Sequence, residues 1–82
     1  MPSMVSNPVR SGHSAQVEIS LIVNGSSHRV GQLGPDFLIL DEPAKHPPTS
    51  ADILMDIDGK KKQWTVFLPK GLEAGERRVR FE

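Results

Sequence analysis

Residues 51–68 read Ala51-Asp52-Ile53-Leu54-Met55-Asp56-Ile57-Asp58-Gly59-Lys60-Lys61-Lys62-Gln63-Trp64-Thr65-Val66-Phe67-Leu68. Ala51, Ile53, Met55 and Ile57 fall on one side of an extended chain, and Asp52, Asp56 and Asp58 on the other, with Leu54 as the exception. Alternation of this kind is the mark of a strand with one buried face. Asp58-Gly59 is a hairpin signal, because a type I′ turn needs two residues at positive φ. With these two as the turn, Ile53 pairs with Trp64, Met55 with Lys62 and Asp56 with Lys61. Trp64, Val66 and Leu68 then share the apolar side of the first strand. A four-residue loop would keep that parity; a three-residue loop would flip one strand. A short helix over 51–57, capped from Pro48-Thr49-Ser50, is the competing reading. The segment is short and runs straight into a hairpin turn, so the strand is favoured.

The same logic extends towards the N-terminus. Val17, Ile19, Leu21 and Val23 alternate with Gln16, Glu18, Ser20 and Asn24; Ile22 is the one intruder. Asn24-Gly25 follows and sets a second hairpin, in which Val23 faces Ser26, Leu21 faces His28 and Ile19 faces Val30. Arg29 then lies outward near Glu18. Leu33-Gly34-Pro35 reads as a bend. The unalternated run Asp36-Phe37-Leu38-Ile39-Leu40 suggests a strand covered on both faces. The stretch 41–50 contains three prolines, which fix φ and remove donors, and reads as an exposed loop. Pro69, Gly71 and Gly75 punctuate a turn before a last strand over 76–81, with Val79 and Phe81 inward. Six short strands with frequent turns imply an all-β domain, a small six-stranded antiparallel barrel or rolled sheet over residues 15–82. Trp64 is the expected interior anchor, and Trp64→Ala in a buried setting costs about 3–5 kcal/mol.

The chain has 82 residues, 37% of them hydrophobic and 24% charged, with ten basic and ten acidic side chains and no cysteine. Zero net charge argues against a DNA-coating protein or a polybasic membrane anchor. Disulfides and cysteine-based zinc sites are excluded, and no apolar run reaches the roughly 18–20 residues of a membrane span. Residues 1–14 are rich in Ser, Pro and Gly, lack the apolar block of a secretory signal, and read as a disordered tail of a cytoplasmic protein. Charge is segregated. Residues 36–58 hold six acids against Lys45, and residues 59–82 hold seven bases against Glu73, Glu76 and Glu82. Such blocks mark either two binding faces or charges that pair across a folded sheet, and the strand reading favours pairing for part of them.

Chemistry is harder to find. His13, His28 and His46 are scattered without metal-ligand spacing. Ser26 and Ser27 adjoin His28, but neighbours on a strand point to opposite faces. His28, opposite Leu21, is expected to be partly buried. The strand aspartates read as a solvated face, since a calcium loop needs its oxygen ligands on a loop. No phosphate-binding glycine loop is present. Lys60, Lys61 and Lys62 follow the second turn, and Arg78 and Arg80 point outward from the last strand. These five form the candidate binding surface, and the proline loop Asp41–Pro48 is a further contact region. Single-strand nucleic-acid binding also wants interleaved aromatics, and only Phe67 shares the outer face.

The order of elements resembles the PilZ domain, a small bacterial barrel that binds cyclic di-GMP. The similar features are the alternating strand and hairpin, the bend at Gly34, the strand Asp36–Leu40, the proline loop, and two long paired strands ending Val66-Phe67-Leu68-Pro69. They span about residues 16–81. The RxxxR signature of that family is broken, because Arg10 is followed four residues later by Ser14. The place of its [DN]xSxxG signature is held by Gln32, Gly34 and Phe37. No ligand residue is therefore carried over. The resemblance implies a degenerate PilZ-like barrel working through protein contacts. The functional expectation is a non-enzymatic module, without cofactor or metal, that contacts a protein partner or itself. Nucleotide or single-stranded nucleic-acid binding through the basic residues is the alternative.

Overall fold

A computed structural model describes residues 16–82, and the tail assigned to residues 1–14 lies outside them. Six strands form one antiparallel sheet: β1 (Val17–Val23), β2 (Ser26–Leu33), β3 (Phe37–Leu40), β4 (Thr49–Ile57), β5 (Lys60–Leu68) and β6 (Arg78–Arg80). Their order across the sheet is β5-β4-β1-β2-β3-β6. The chain is all-β, and residues 51–57 are strand rather than helix. The sheet curls into a half-barrel.

Both hairpins close on the expected dipeptides. Asn24 and Gly25 have φ of 50° and 82°, and Asp58 and Gly59 have 53° and 86°. These are the paired positive values that a type I′ turn demands. The registers follow: Leu21 opposite His28, Ile19 opposite Val30, and Ile53 opposite Trp64, Met55 opposite Lys62. At the second tip, the Gly59 N–H donates to Asp56 Oδ1 at 2.8 Å. The Gln16 N–H donates to Asp58 Oδ1 at 2.9 Å, which ties the start of β1 to the same turn.

The curl originates in β2. Its first part pairs with β1 as far as Val30, and its last part pairs with β3 through Gln32–Ile39 and Leu33–Leu38. The register shifts between Val30 and Gln32, at Gly31. A bulge there lets one strand serve two differently oriented halves of a sheet. Gly31 also lies where a Cβ would come within 2.7 Å of Asp41 Oδ1. The inner faces of the two halves meet as the core: Leu21, Val23, Ile53, Val66 and Leu68 from one side, Leu38, Leu40, Val79 and Phe81 from the other.

The two margins of the curl touch at one place. Phe67 and Glu82 exchange backbone hydrogen bonds of 3.0 and 2.9 Å. Continuing that register would set Pro69 opposite Arg80, and Pro69 has no N–H to give, so the seam stops after one residue pair. A second tie joins two loops. His46 and Leu72 exchange bonds of 2.8 Å each, which places Leu72 in the core. The sequence offered no periodic signal for this contact.

Several expectations need correction. Trp64 is 38% exposed and does not anchor the interior. It faces the inner side beside fully buried Ile53, but on the margin strand and towards the hairpin tip, where the opposite half of the sheet does not reach. β3 is not covered on both faces. Leu38 and Leu40 are buried while Phe37 and Ile39 are half-buried, so the run alternates in environment though not in residue type. β4 starts at Thr49, two residues inside the expected loop, and β6 is confined to Arg78–Arg80, although Val79 and Phe81 are buried as expected. Among the described residues the acidic and basic blocks meet in a single ion pair, Lys61–Asp56 at 3.9 Å.

Candidate functional surface

The five candidate residues separate into two groups. Lys60, Lys61 and Lys62 begin β5 at the hairpin tip and are exposed. Arg78 and Arg80 lie on β6 and are exposed. The link between these strands is at Phe67–Glu82, and Lys61 lies six residues, about 20 Å, up β5 from there. A single ligand spanning both groups would have to run the length of β5.

The arginine group is built as follows. Pairing of Phe37 with Arg80 and of Ile39 with Arg78 holds β6 against β3. The Arg78 guanidinium lies 4.5 Å from the centre of the Phe37 ring, a cation–π contact that fixes the side chain in the sheet surface. Lys70, Glu73, Glu76, Arg78 and Arg80 line a shallow cleft of about 170 Å3. Its three cations thus share space with two carboxylates.

The lysine group sits differently. Asp56 is opposite Lys61 and Met55 opposite Lys62, so Lys61 points outward while Lys60 and Lys62 share the inner side with Ile57, Met55 and Trp64. Next to them on the outer face, Thr65 Oγ1 donates to Asp52 Oδ1 at 2.7 Å, and Gln63 Nε2 donates to Asp52 Oδ2 at 3.1 Å. Among the described residues the inner face is less covered towards the hairpin tip: Val17 is 49% exposed, Met55 and Ile57 are half-buried, and Ile19 is half-buried against the edge of the core. These side chains continue the apolar pattern past the point where β2 turns away at Gly31. They form a shelf that ends in lysines.

His28 is half-buried, as its place opposite Leu21 implied. It lines a cleft of about 450 Å3 with Ser27, Arg29, Asp41, Glu42, Pro43 and Ala44. Arg29 is 3.9 Å from Glu18, the cross-strand neighbour anticipated from the hairpin. The proline loop Asp41–Pro48 is exposed apart from Ala44 and His46, and His46 Nδ1 is 2.7 Å from the Pro47 carbonyl. Among the described residues, no cluster of three His, Asp or Glu side chains is placed to hold a metal ion, and no helix is long and apolar enough to cross a membrane. No family model, no curated protein and no solved structure matches this chain.

Proposed function

We propose that this protein is a non-enzymatic contact module that docks on another protein, in the cytoplasm, through the shelf formed by β1, β4 and β5. The observation that carries the reading is the apolar inner face on which Val17 and Trp64 are exposed and Met55 and Ile57 half-buried among the described residues, beside Lys60 and Lys62. Such a face costs solvation free energy in water, and an apolar centre with a polar rim is the usual anatomy of a protein contact. The aromatic at its margin is the residue type that most often anchors one. Site-specific photo-cross-linking tests the reading. A benzophenone side chain at position 64 of the full-length protein should give discrete adducts in extract, or a dimer with itself. The same group at position 29 should not. Equal labelling from both positions, with a monomer by light scattering, would refute it.

The second reading is anion binding, a nucleotide or single-stranded nucleic acid, in the cleft of Lys70, Arg78 and Arg80. The convergence of three cations on one depression favours it; Glu73 and Glu76 in the same wall oppose it. It is also the reading in which the PilZ-like order of elements would matter. Titration with cyclic di-GMP and with short oligonucleotides at low salt, followed by amide shifts of Arg78 and Arg80, decides it. Silence removes it.

A further inference from the structure

We infer that the open margin of β5, from Lys61 to Thr65, receives an added strand from an acidic, extended peptide segment. The inference rests on the contact-module reading and names its partner chemistry.

Hydrogen-bond parity identifies the receiving groups. Phe67 directs both its N–H and its C=O away from β4, to Glu82. The β4–β5 register runs unbroken from Thr49–Leu68 to Ile57–Lys60. In an antiparallel ladder the direction alternates residue by residue. Thr65, Gln63 and Lys61 therefore point their backbone donors and acceptors the same way as Phe67. β5 ends the strand order, and no described strand lies beyond it at these positions. The seam at Phe67 shows the margin already taking one residue pair, and Pro69 explains why the pairing goes no further in the other direction.

Side chains then select the occupant. Three consecutive lysines on a margin strand hinder pairing with a second copy of that strand, the usual guard against edge association. They favour a carboxylate-bearing strand instead. Residues of an added strand opposite Lys60, Lys62 and Trp64 would lie on the inner side, and those opposite Lys61 and Gln63 on the outer. A fitting segment alternates the two kinds of side chain, with an apolar residue beside Trp64 on the inner side and carboxylates on the outer side beside Lys61, within reach of the flanking lysines. Main-chain bonds would supply affinity and alternate side chains would supply choice, as in strand addition generally.

The test is a titration of the 15N-labelled full-length protein with a blocked EVEVEV hexapeptide, with KVKVKV as control. The expected result is slowed exchange, tenfold or more, at the amides of Lys61, Gln63 and Thr65 with EVEVEV alone. Replacing Lys60, Lys61 and Lys62 together by Gln should weaken binding by about tenfold, in line with several exposed ion pairs. Gln63→Pro removes an outward donor without touching a main-chain β4–β5 bond, although it also removes the Gln63–Asp52 side-chain bond, so it should abolish the protection while leaving the amide spectrum of β1 and β4 unchanged away from Asp52. Thr65→Pro likewise spares the main-chain ladder one step along, at the loss of the Thr65–Asp52 side-chain bond, and serves if Gln63→Pro does not fold. The inference is overturned if these three amides are already protected in the free protein, if KVKVKV binds as well, if EVEVEV is silent, or if protection survives both proline variants. None of those results touches the contact-module reading, which fails only on the cross-linking at position 64.

Discussion

Gly71 offers the sharpest test of how this small sheet is held closed. Its φ is +59°, and a Cβ there would overlap the His46 carbonyl oxygen, with the Pro47 carbonyl carbon 2.5 Å away. The neighbouring residue, Leu72, makes both bonds of the loop bridge to His46. Gly71→Ala therefore has two costs. Holding alanine in the left-handed region costs about 1–2 kcal/mol. Relieving the overlap requires the two loops to part, which loses two hydrogen bonds worth about 0.5–1.5 kcal/mol each. The sum is about 2–5 kcal/mol, against a total of about 3–10 kcal/mol for a domain of this size. Gly59→Ala supplies the control: its φ is +86°, but nothing lies within 4 Å of the added carbon. It should cost about 1–2 kcal/mol, the conformational part alone. Urea denaturation followed by far-ultraviolet circular dichroism measures both. Amide exchange at His46 and Leu72 should rise in Gly71→Ala and not in Gly59→Ala. Equal stabilities within about 0.5 kcal/mol would refute the clamp, since the overlap would then cost nothing.

Trp64→Ala should cost about 1–2 kcal/mol, whereas Leu21→Ala, at a fully buried site, should cost about 2–5 kcal/mol; thermal melts rank the two. Trp64 fluorescence should be solvent-shifted in the native state, and a blue-shifted spectrum would put it back in the interior. A double-mutant cycle on Lys61 and Asp56, 3.9 Å apart with the lysine largely solvated and the aspartate half-buried, should yield a coupling of about 0–1 kcal/mol. Asp58→Val should destabilise by about 1–2 kcal/mol, because a β-branched side chain resists the φ of 53° and the bond to the Gln16 N–H is lost; Asp58→Gly should restore part of it, measured by urea midpoint.

What the sequence disclosed and what it withheld divide along range. Both hairpins are local: Asn24-Gly25 and Asp58-Gly59 need positive φ, and the apolar parity on either side of each admits one register. Trp64 shows the limit of that argument. Alternation assigns a side chain to a face, but burial requires something opposite that face, and that depends on where β2 bends at Gly31. The His46–Leu72 bridge and the Phe67–Glu82 seam join segments without period, so no pattern announced them. Leu72, a lone apolar residue between Gly71 and Glu73, was the available hint. At the candidate surface, the lysines were legible as a cluster. That β5 is a margin strand was not, because the order β5-β4-β1-β2-β3-β6 depends on β4 crossing back to pair with β1 after the long proline loop. The separation of Lys60–Lys62 from Arg78 and Arg80 follows from that same topology.

The unequal lengths of the strands connect fold to function. β4 and β5 have nine residues each, β3 four and β6 three. A core forms only where long and short strands overlap, and there Leu21, Leu38 and Ile53 are fully buried. Beyond the overlap, β1, β4 and β5 continue as a three-stranded ribbon whose inner side retains the apolar alternation of a buried face. Turn chemistry at Asp58-Gly59, the tie from Gln16, and the Asp52–Thr65–Gln63 contacts hold that ribbon in register without an opposing layer among the described residues. If the ribbon served only to complete the fold, polar residues on its inner side would cost nothing. Retaining Val17, Met55, Ile57 and Trp64 there leaves a preorganised surface, so a partner binding to it need not order the backbone first.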